Sequence, residues 1–415
     1  MLFRSVATTV SKLFKTNTPI KFLAYDNSVA GDLNSNNSLN FKSKEALQYI
    51  ATSPNDLGLA RAYVTGQLDV EGDLHKTLLD LYWNLKTPIA KSVIWSIVKE
   101  LGLKILKRPP VPVEEAPSRY KRGVLHSLKR DASAIEHHYD VSNEFYRLIL
   151  GETMVYSCAV FNSKDATLEQ AQNEKIDLIC RKLGLKPGMK LLDIGCGWGS
   201  LIIHAAKNYG VKAIGVTLSK QQLSLATQRV KDQNLTDQVE IRLQDYREVP
   251  ERDFDVISSV GMSEHVGDEK LDAYFAKLKT YVKDGGMILN HCIVRPTSKE
   301  PAQAGAFIDR YIFPDGELTA ASRVSQAMID NSIELRHSEN LREHYAMTLN
   351  KWCQNLKQNW QEAVKIVGEQ RARIWLLYMT VSQIGFEINN IQIHQFLGVV
   401  NHADGSNQLP LRQYW

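Results

Sequence analysis

The sequence predicts an α/β protein, with a doubly wound, Rossmann-like domain preceded by a smaller α+β domain. Three observations carry this. From about residue 165 short apolar strand patterns alternate with helix patterns, as in a parallel sheet covered on both faces. The first of these strands runs into Gly195-Cys196-Gly197-Trp198-Gly199 and then a helix. Finally, Pro109, Pro110, Pro112 and Pro117 fall within nine residues, a stretch that cannot continue a helix and favours a stiff, extended connection.

The elements follow in order. Ser43 is a good N-cap for a helix over residues 43–50, and residues 57–64 read as another. Residues 66–72 read as a turn, a short strand and a second turn. Residues 1–107 are therefore taken as an N-terminal domain, 108–135 as a Pro-rich basic linker and 136–415 as the larger domain. In the latter, helices are expected at 167–183, 200–209, 220–233 and 270–282. Strands are expected at 189–194, 212–217, 239–243, 254–260 and 286–294. Ligands of such sheets bind at the carboxyl ends of the strands.

At 415 residues the chain exceeds a typical single domain, and 44% apolar with 23% charged residues excludes a disordered or collagen-like chain. Cys158, Cys180, Cys196, Cys292 and Cys353 form no CxxC pair and leave one odd, the pattern of a reducing cytoplasm. Lysines interrupt the apolar N-terminal stretches, so no signal peptide is expected, and no run approaches the roughly 20 apolar residues of a membrane span. The net charge of +4 is uneven: residues 86–130 hold eleven Lys and Arg against three Glu, a local +8. With Val93, Ile94, Trp95, Ile97 and Val98 interleaved, this block fits either an anionic surface or a buried helix with solvated lysines. No nucleic-acid-binding module accompanies it.

The loop of Gly195, Gly197 and Gly199 lets a ligand approach bare backbone at a helix N-terminus. Asp193, inside the preceding strand, offers a carboxylate to an ammonium or sulfonium. The second strand ends without the acidic residue that a dinucleotide site expects, which favours S-adenosylmethionine. Thr217 and Gln222 would then bind the ribose or amino-acid portion, and Asp245 and Tyr246 follow at the end of the third strand as partners for the adenosine. The plainer reading makes Asp193 and Asp245 strand-end caps.

Several further motifs recur in a known order. They are His138-Tyr139-Asp140-Val141-Ser142-Asn143, Tyr156-Ser157-Cys158-Ala159, Leu192-Asp193-Ile194-Gly195-Cys196-Gly197-Trp198-Gly199, Gly215-Val216-Thr217-Leu218-Ser219, Gln244-Asp245-Tyr246-Arg247, Val260-Gly261-Met262-Ser263-Glu264-His265 and Tyr311-Ile312-Phe313-Pro314. Over residues 135–415 the sequence resembles the cyclopropane-fatty-acyl-phospholipid synthases and the mycolic acid cyclopropane synthases. The resemblance implies a class I methyltransferase fold behind a lipid-binding N-terminal domain. It also implies transfer of a methylene group from S-adenosylmethionine to the cis double bond of an unsaturated phospholipid chain. Tyr156 and Ser157 join the cofactor set, and bicarbonate is implied as the base, held by Glu264, His291, Tyr345 and the backbone of Cys158. A cytoplasmic enzyme on the inner face of the membrane, with a homodimer among its partners, completes the expectation.

Strand order alone also brings Glu264 and His291 together, near the carboxyl ends of adjacent strands. Taken singly, Glu264 reads as a helix N-terminal acid, His291 as a hydrogen-bonded core histidine, Cys158 as a small buried hydrophobe and Tyr345 as a surface aromatic. A metal reading of Glu264 and His291 lacks further ligands at suitable spacing, so no metal is expected. Ser382 and Gln383 stand where the family carries cysteine and glutamate. A serine can still hydrogen-bond bicarbonate. The change leaves open a branching product, methylene or methyl, in place of the ring. A lipid-binding protein that has lost its activity would not be expected to keep Glu264, His291, Tyr345 and the glycine loop.

Overall fold

The computed structural model describes residues 5–15, 17–85, 95, 98–99, 101–117, 142–299, 305–314, 316–407, 409–412 and 415. Most of the basic block, and the motif residues His138 to Val141, lie outside them. The chain forms two compact units, one of residues 1–118, 305–312 and 360–384, the other of 119–304, 313–359 and 385–415.

The first unit begins with α1 (Val6–Ser11), β1 (Lys21–Ala24), β2 (Val29–Gly31) and β3 (Ser38–Phe41). It continues with α2 (Lys44–Thr52), α3 (Asp56–Val64), β4 (Leu68–Glu71) and α4 (Leu74–Leu85). Ser43 caps α2 as expected, accepting from the Glu45 N–H at 3.1 Å. The strands form one sheet in the order β2-β1-β3-β4, with only β1 and β3 parallel. Ile20, Phe22, Leu39 and Phe41 bury against Ala46, Leu47 and Tyr49 of α2.

The second unit runs from α5 (Asn143–Leu150) through α6 (Leu168–Lys182), β5 (Lys190–Ile194), α7 (Ser200–Tyr209), β6 (Lys212–Thr217) and α8 (Lys220–Asp232). Then come β7 (Val239–Leu243), β8 (Phe254–Val260), α9 (Leu271–Lys279) and β9 (Val282–Val294). After α10 (Ala306–Tyr311), which groups with the first unit, follow α11 (Ala321–Asp330), β10 (Glu334–Asn340) and α12 (Arg342–Gln358). α13 (Trp360–Val367) and most of α14 (Glu369–Glu387) also group with the first unit, and β11 (Gln392–Val399) ends the list.

The seven-stranded sheet has the order β10-β11-β9-β8-β5-β6-β7. β5 to β9 are parallel, as the alternation predicts. β11 pairs antiparallel with β9, and β10 with β11, which the sequence reading did not anticipate. Alternate residues of β5 feed opposite cores: Leu191 packs with Ile179 and Ile202, Leu192 with Phe275 and Ile288. The helix expected through Val282 stops at Lys279, and β9 already pairs Val282 with Phe254 before a register shift. All five cysteines are buried and free, and all belong to the second unit.

The Pro-rich segment is tied into the first unit. Tyr49 donates to the Pro110 carbonyl at 2.8 Å, and the Ala116 N–H donates to the Arg310 carbonyl at 2.8 Å. The fully buried Glu115 carboxylate takes two hydrogen bonds from Arg61 at 2.7 Å each, an ion pair from Arg310 at 2.5 Å and the Tyr311 hydroxyl at 3.0 Å. Two charges converging from distant parts of the sequence thus hold the segment between α3 and α10.

Candidate active site

The carboxyl ends of β5, β6 and β8 open into a cavity. β5 ends in three glycines with left-handed backbone, Gly195 (φ +74°), Gly197 (+55°) and Gly199 (+77°), a turn that other L-residues adopt only at a cost. Of the residues expected from the sequence to bind the cofactor, Tyr156, Ser157, Asp193, Gly195, Gly197, Thr217, Gln222 and Tyr246 line the cavity. Gly199 and Asp245 do not. Gly199 is the N-cap of α7, and the Asp245 carboxylate accepts from the Arg247 backbone at 2.9 Å and from its guanidinium at 2.6 and 2.8 Å. Gln244 lines the cavity instead.

Asp193 is buried, and Ser258 donates to it at 2.6 Å. Burial pushes its carboxyl up to about 6, against the opposing effects of Ser258 and Lys175. Thr217 donates to Gln222 Oε1 at 2.7 Å and accepts at 3.1 Å from the N–H of Ser219, the N-cap of α8, and both Thr217 and Gln222 line the cavity. Lys175, unremarked in the sequence, also lines it. Its Nζ donates to Ser157 Oγ at 2.8 Å, and burial brings its ammonium down to about 8.

The sheet does bring Glu264 and His291 to neighbouring strand ends. Val260 pairs with His291, the Gly261 N–H donates to the His291 carbonyl at 2.8 Å, and Glu264 Oε1 accepts from the Ile293 N–H at 2.8 Å. His291 is fully buried, but neither ring nitrogen has a hydrogen-bond partner among the described residues, unlike a satisfied core histidine. Burial, with Lys175, Lys182 and His394 adding to it, holds the imidazole far below its usual pKa and hence neutral. Glu264 Oε2 is likewise buried and unpartnered among the described residues, and burial pushes its carboxyl up to about 7.

Cys158 and Tyr345 are joined through α12. The Cys158 thiol reaches the Leu341 carbonyl at 3.7 Å, the Ala159 N–H donates to Thr348 Oγ1 at 3.1 Å, and the Phe161 N–H donates to His344 Nδ1 at 3.0 Å. Tyr345 is buried, correcting its reading as a surface aromatic, because its ring packs on Phe386 at 4.7 Å. Burial pushes the Cys158 thiol well up, which disfavours a thiolate there. An aromatic run starts at the cavity wall. Trp198 lies 4.9 Å from Tyr146, Tyr146 5.6 Å from Tyr156, Tyr156 5.4 Å from Trp352, and Trp352 6.0 Å from Tyr345. Ser382 is half-buried on the part of α14 that belongs to the first unit. Among the described residues no cluster of three metal-ligating side chains occurs, and no helix is long and apolar enough to cross a membrane.

A family model described as mycolic acid cyclopropane synthetase matches residues 126–396. A probable fatty acid methyltransferase of Mycobacterium tuberculosis is 44% identical over 407 residues, covering 96% of this chain and 95% of that protein. The cyclopropane-fatty-acyl-phospholipid synthase of Escherichia coli is 36% identical over 271 residues, 65% of this chain and 69% of its own length. Among solved structures, mycolic acid cyclopropane synthase CmaA1, complexed with SAH and CTAB, superposes with a TM-score of 0.62 at 34% identity, over 65% of this chain and 98% of that one.

Proposed function

The chain belongs to the mycolic acid cyclopropane synthetase family of S-adenosylmethionine-dependent methyltransferases, and from that premise we propose that it converts cis double bonds in unsaturated phospholipid acyl chains to cyclopropane rings. The observation that carries this reading is that both ring nitrogens of buried His291 and Oε2 of buried Glu264 lack a hydrogen-bond partner among the described residues, with the two residues brought near each other by the neighbouring strands β8 and β9.

S-adenosylmethionine supplies an electrophilic methyl group when bound; Asp193, Thr217, Gln222, Gly195 and Gly197 would orient it. Methyl transfer to an alkene leaves the chain cationic, and ring closure requires a proton to leave the transferred methyl. A cation formed here would face π-density from Tyr156, Trp352 and Tyr345. Bicarbonate fits the unpartnered set. A neutral His291 offers one donor and one acceptor, and Glu264, with its pKa near 7, can donate or accept around neutrality. With Tyr345 and the Cys158 backbone, these residues would hold the ion, which would supply the base. Ser382 is assigned a hydrogen-bonding role in place of the family cysteine. Residues 1–107 are assigned to lipid contact, on the inner face of the cell membrane.

A second reading is favoured by Ser382 and by the relative named as a fatty acid methyltransferase: the cation rearranges before proton loss and gives a methylene branch or a methyl branch on a retained double bond. NMR of the lipid formed from methyl-labelled S-adenosylmethionine and mono-unsaturated phospholipid vesicles separates the two. High-field cyclopropyl protons support the ring, vinylidene protons or a methyl branch support the second reading, and no label in lipid rejects both.

A further inference from the structure

We propose that Lys175 receives the carboxylate of the cofactor's amino-acid portion while Asp193 receives its ammonium, so that the site reads a zwitterion with an opposed pair of buried charges. The inference rests on S-adenosylmethionine occupying the cavity described above.

Lys175 projects from α6, a helix whose polar sequence gives it every means of turning a lysine outward, yet the residue is only 3% exposed. Two turns later Lys182 is also buried, and the contrast is instructive. Lys182 forms an ion pair with Glu339 and donates to Gln395 Oε1 at 2.7 Å, so its charge is matched within the protein. Lys175 Nζ has one hydrogen bond among the described residues, to the neutral Ser157 hydroxyl at 2.8 Å, and no carboxylate within ion-pairing distance among them. A buried ammonium held by one hydroxyl is costly unless an anion joins it.

An anion can reach Lys175 from the cavity, which the lysine lines. Among the described residues that line the cavity, Lys175 is the one Lys or Arg and Asp193 the one carboxylate. The two feel each other's field without an ion pair between them. An amino-acid group carries one charge of each sign on a single carbon. Bound there, it would pair both protein charges at once and leave net charge unchanged. The Ser157 hydroxyl, already fixed by Lys175, would lie beside the same carboxylate. The charge of Lys175 also reaches His291, so an anion beside the histidine is the competing destination.

Calorimetric titration of the full chain with S-adenosylhomocysteine and with its decarboxylated analogue tests this, because the analogue keeps the adenosine and the ammonium. The wild-type protein should bind S-adenosylhomocysteine at least about tenfold more tightly than the analogue, a difference of about 1.4 kcal/mol. Lys175→Met should weaken S-adenosylhomocysteine about tenfold and leave the analogue unweakened, whereas Asp193→Asn should weaken both. Unchanged S-adenosylhomocysteine affinity in Lys175→Met overturns the proposal and moves the lysine to the anion beside His291. Equal weakening of both ligands overturns it in favour of a purely structural role. If that variant fails to fold, the wild-type ratio decides, and equal wild-type affinities overturn the proposal. A wild-type protein that binds neither ligand rejects the cofactor assignment itself, an outcome distinct from all of these.

Discussion

Glu264 holds one carboxyl oxygen on the Ile293 N–H and leaves the other buried with no partner among the described residues, an arrangement suited to gripping a small ion. Glu264→Gln keeps the shape and removes the charge. Lipid turnover should fall at least about 100-fold, while calorimetric affinity for S-adenosylhomocysteine stays within about threefold. Retained turnover would remove Glu264 from the reaction. The same carboxyl makes a thermodynamic prediction. The unfolded chain releases this proton near the usual 4.5 and the folded protein only near about 7, so its contribution to stability is fully present below about 4.5 and is lost as pH rises through about 7. Between pH 5 and 8, denaturant titrations should show Glu264→Gln losing about 2–3 kcal/mol less than wild type. Equal losses would mean that the carboxyl is hydrated. Glu264 and His291 were legible in the sequence because parallel strand order alone makes their positions converge. Lys175 was not, since a lysine amid Asn173, Glu174 and Asp177 looks solvent-facing, and only the fold turns its stem inward.

At the level of elements, packing around the glycine loop depends on close approach of α7 to β6. A Cβ on Gly215 would stand 2.6 Å from Ile202 Cδ1 and 2.9 Å from Cys196 Sγ. Gly215→Ala should therefore cost about 1–3 kcal/mol in denaturant titrations and weaken S-adenosylhomocysteine binding, because the displaced Cys196 lies in the loop itself. A neutral outcome would show that the loop can move without loss. In the first unit, Glu115→Ala leaves Arg61 and Arg310 facing each other without their shared anion, and should cost about 3–5 kcal/mol in the same assay. The sequence marked residues 108–117 as a connection because proline density is local. It carried no sign that Arg310, far along the chain, would anchor them. The antiparallel edge was hidden for a related reason: β10, Glu334-Leu335-Arg336-His337-Ser338-Glu339-Asn340, alternates exposed and half-buried positions and lacks the apolar run by which β5 and β8 announce themselves.

Over the whole molecule, charge and exposed apolar surface occur in the same stretch of chain. Trp95 is 66% exposed, Leu103 73% and Val113 95%, among Lys99, Lys104, Lys107 and Arg108. Neutralising the lysines of residues 86–130 should weaken sedimentation with anionic vesicles, more strongly at low salt than at high. Unchanged sedimentation would make the block structural. The five cysteines carry a consequence of a different kind. Every one is buried in the second unit, and burial raises the pKa of four of them, Cys158, Cys180, Cys196 and Cys292. Thiol reagents attack the thiolate, so the native protein is a poor target for them and the opened chain a good one. The sheet unit thus contains its own clock: the pace at which a colorimetric disulfide reagent consumes thiols measures how often that unit opens, and Cys196, in the glycine loop that lines the cavity, should be the thiol most slowed by added S-adenosylhomocysteine if that ligand binds there as proposed.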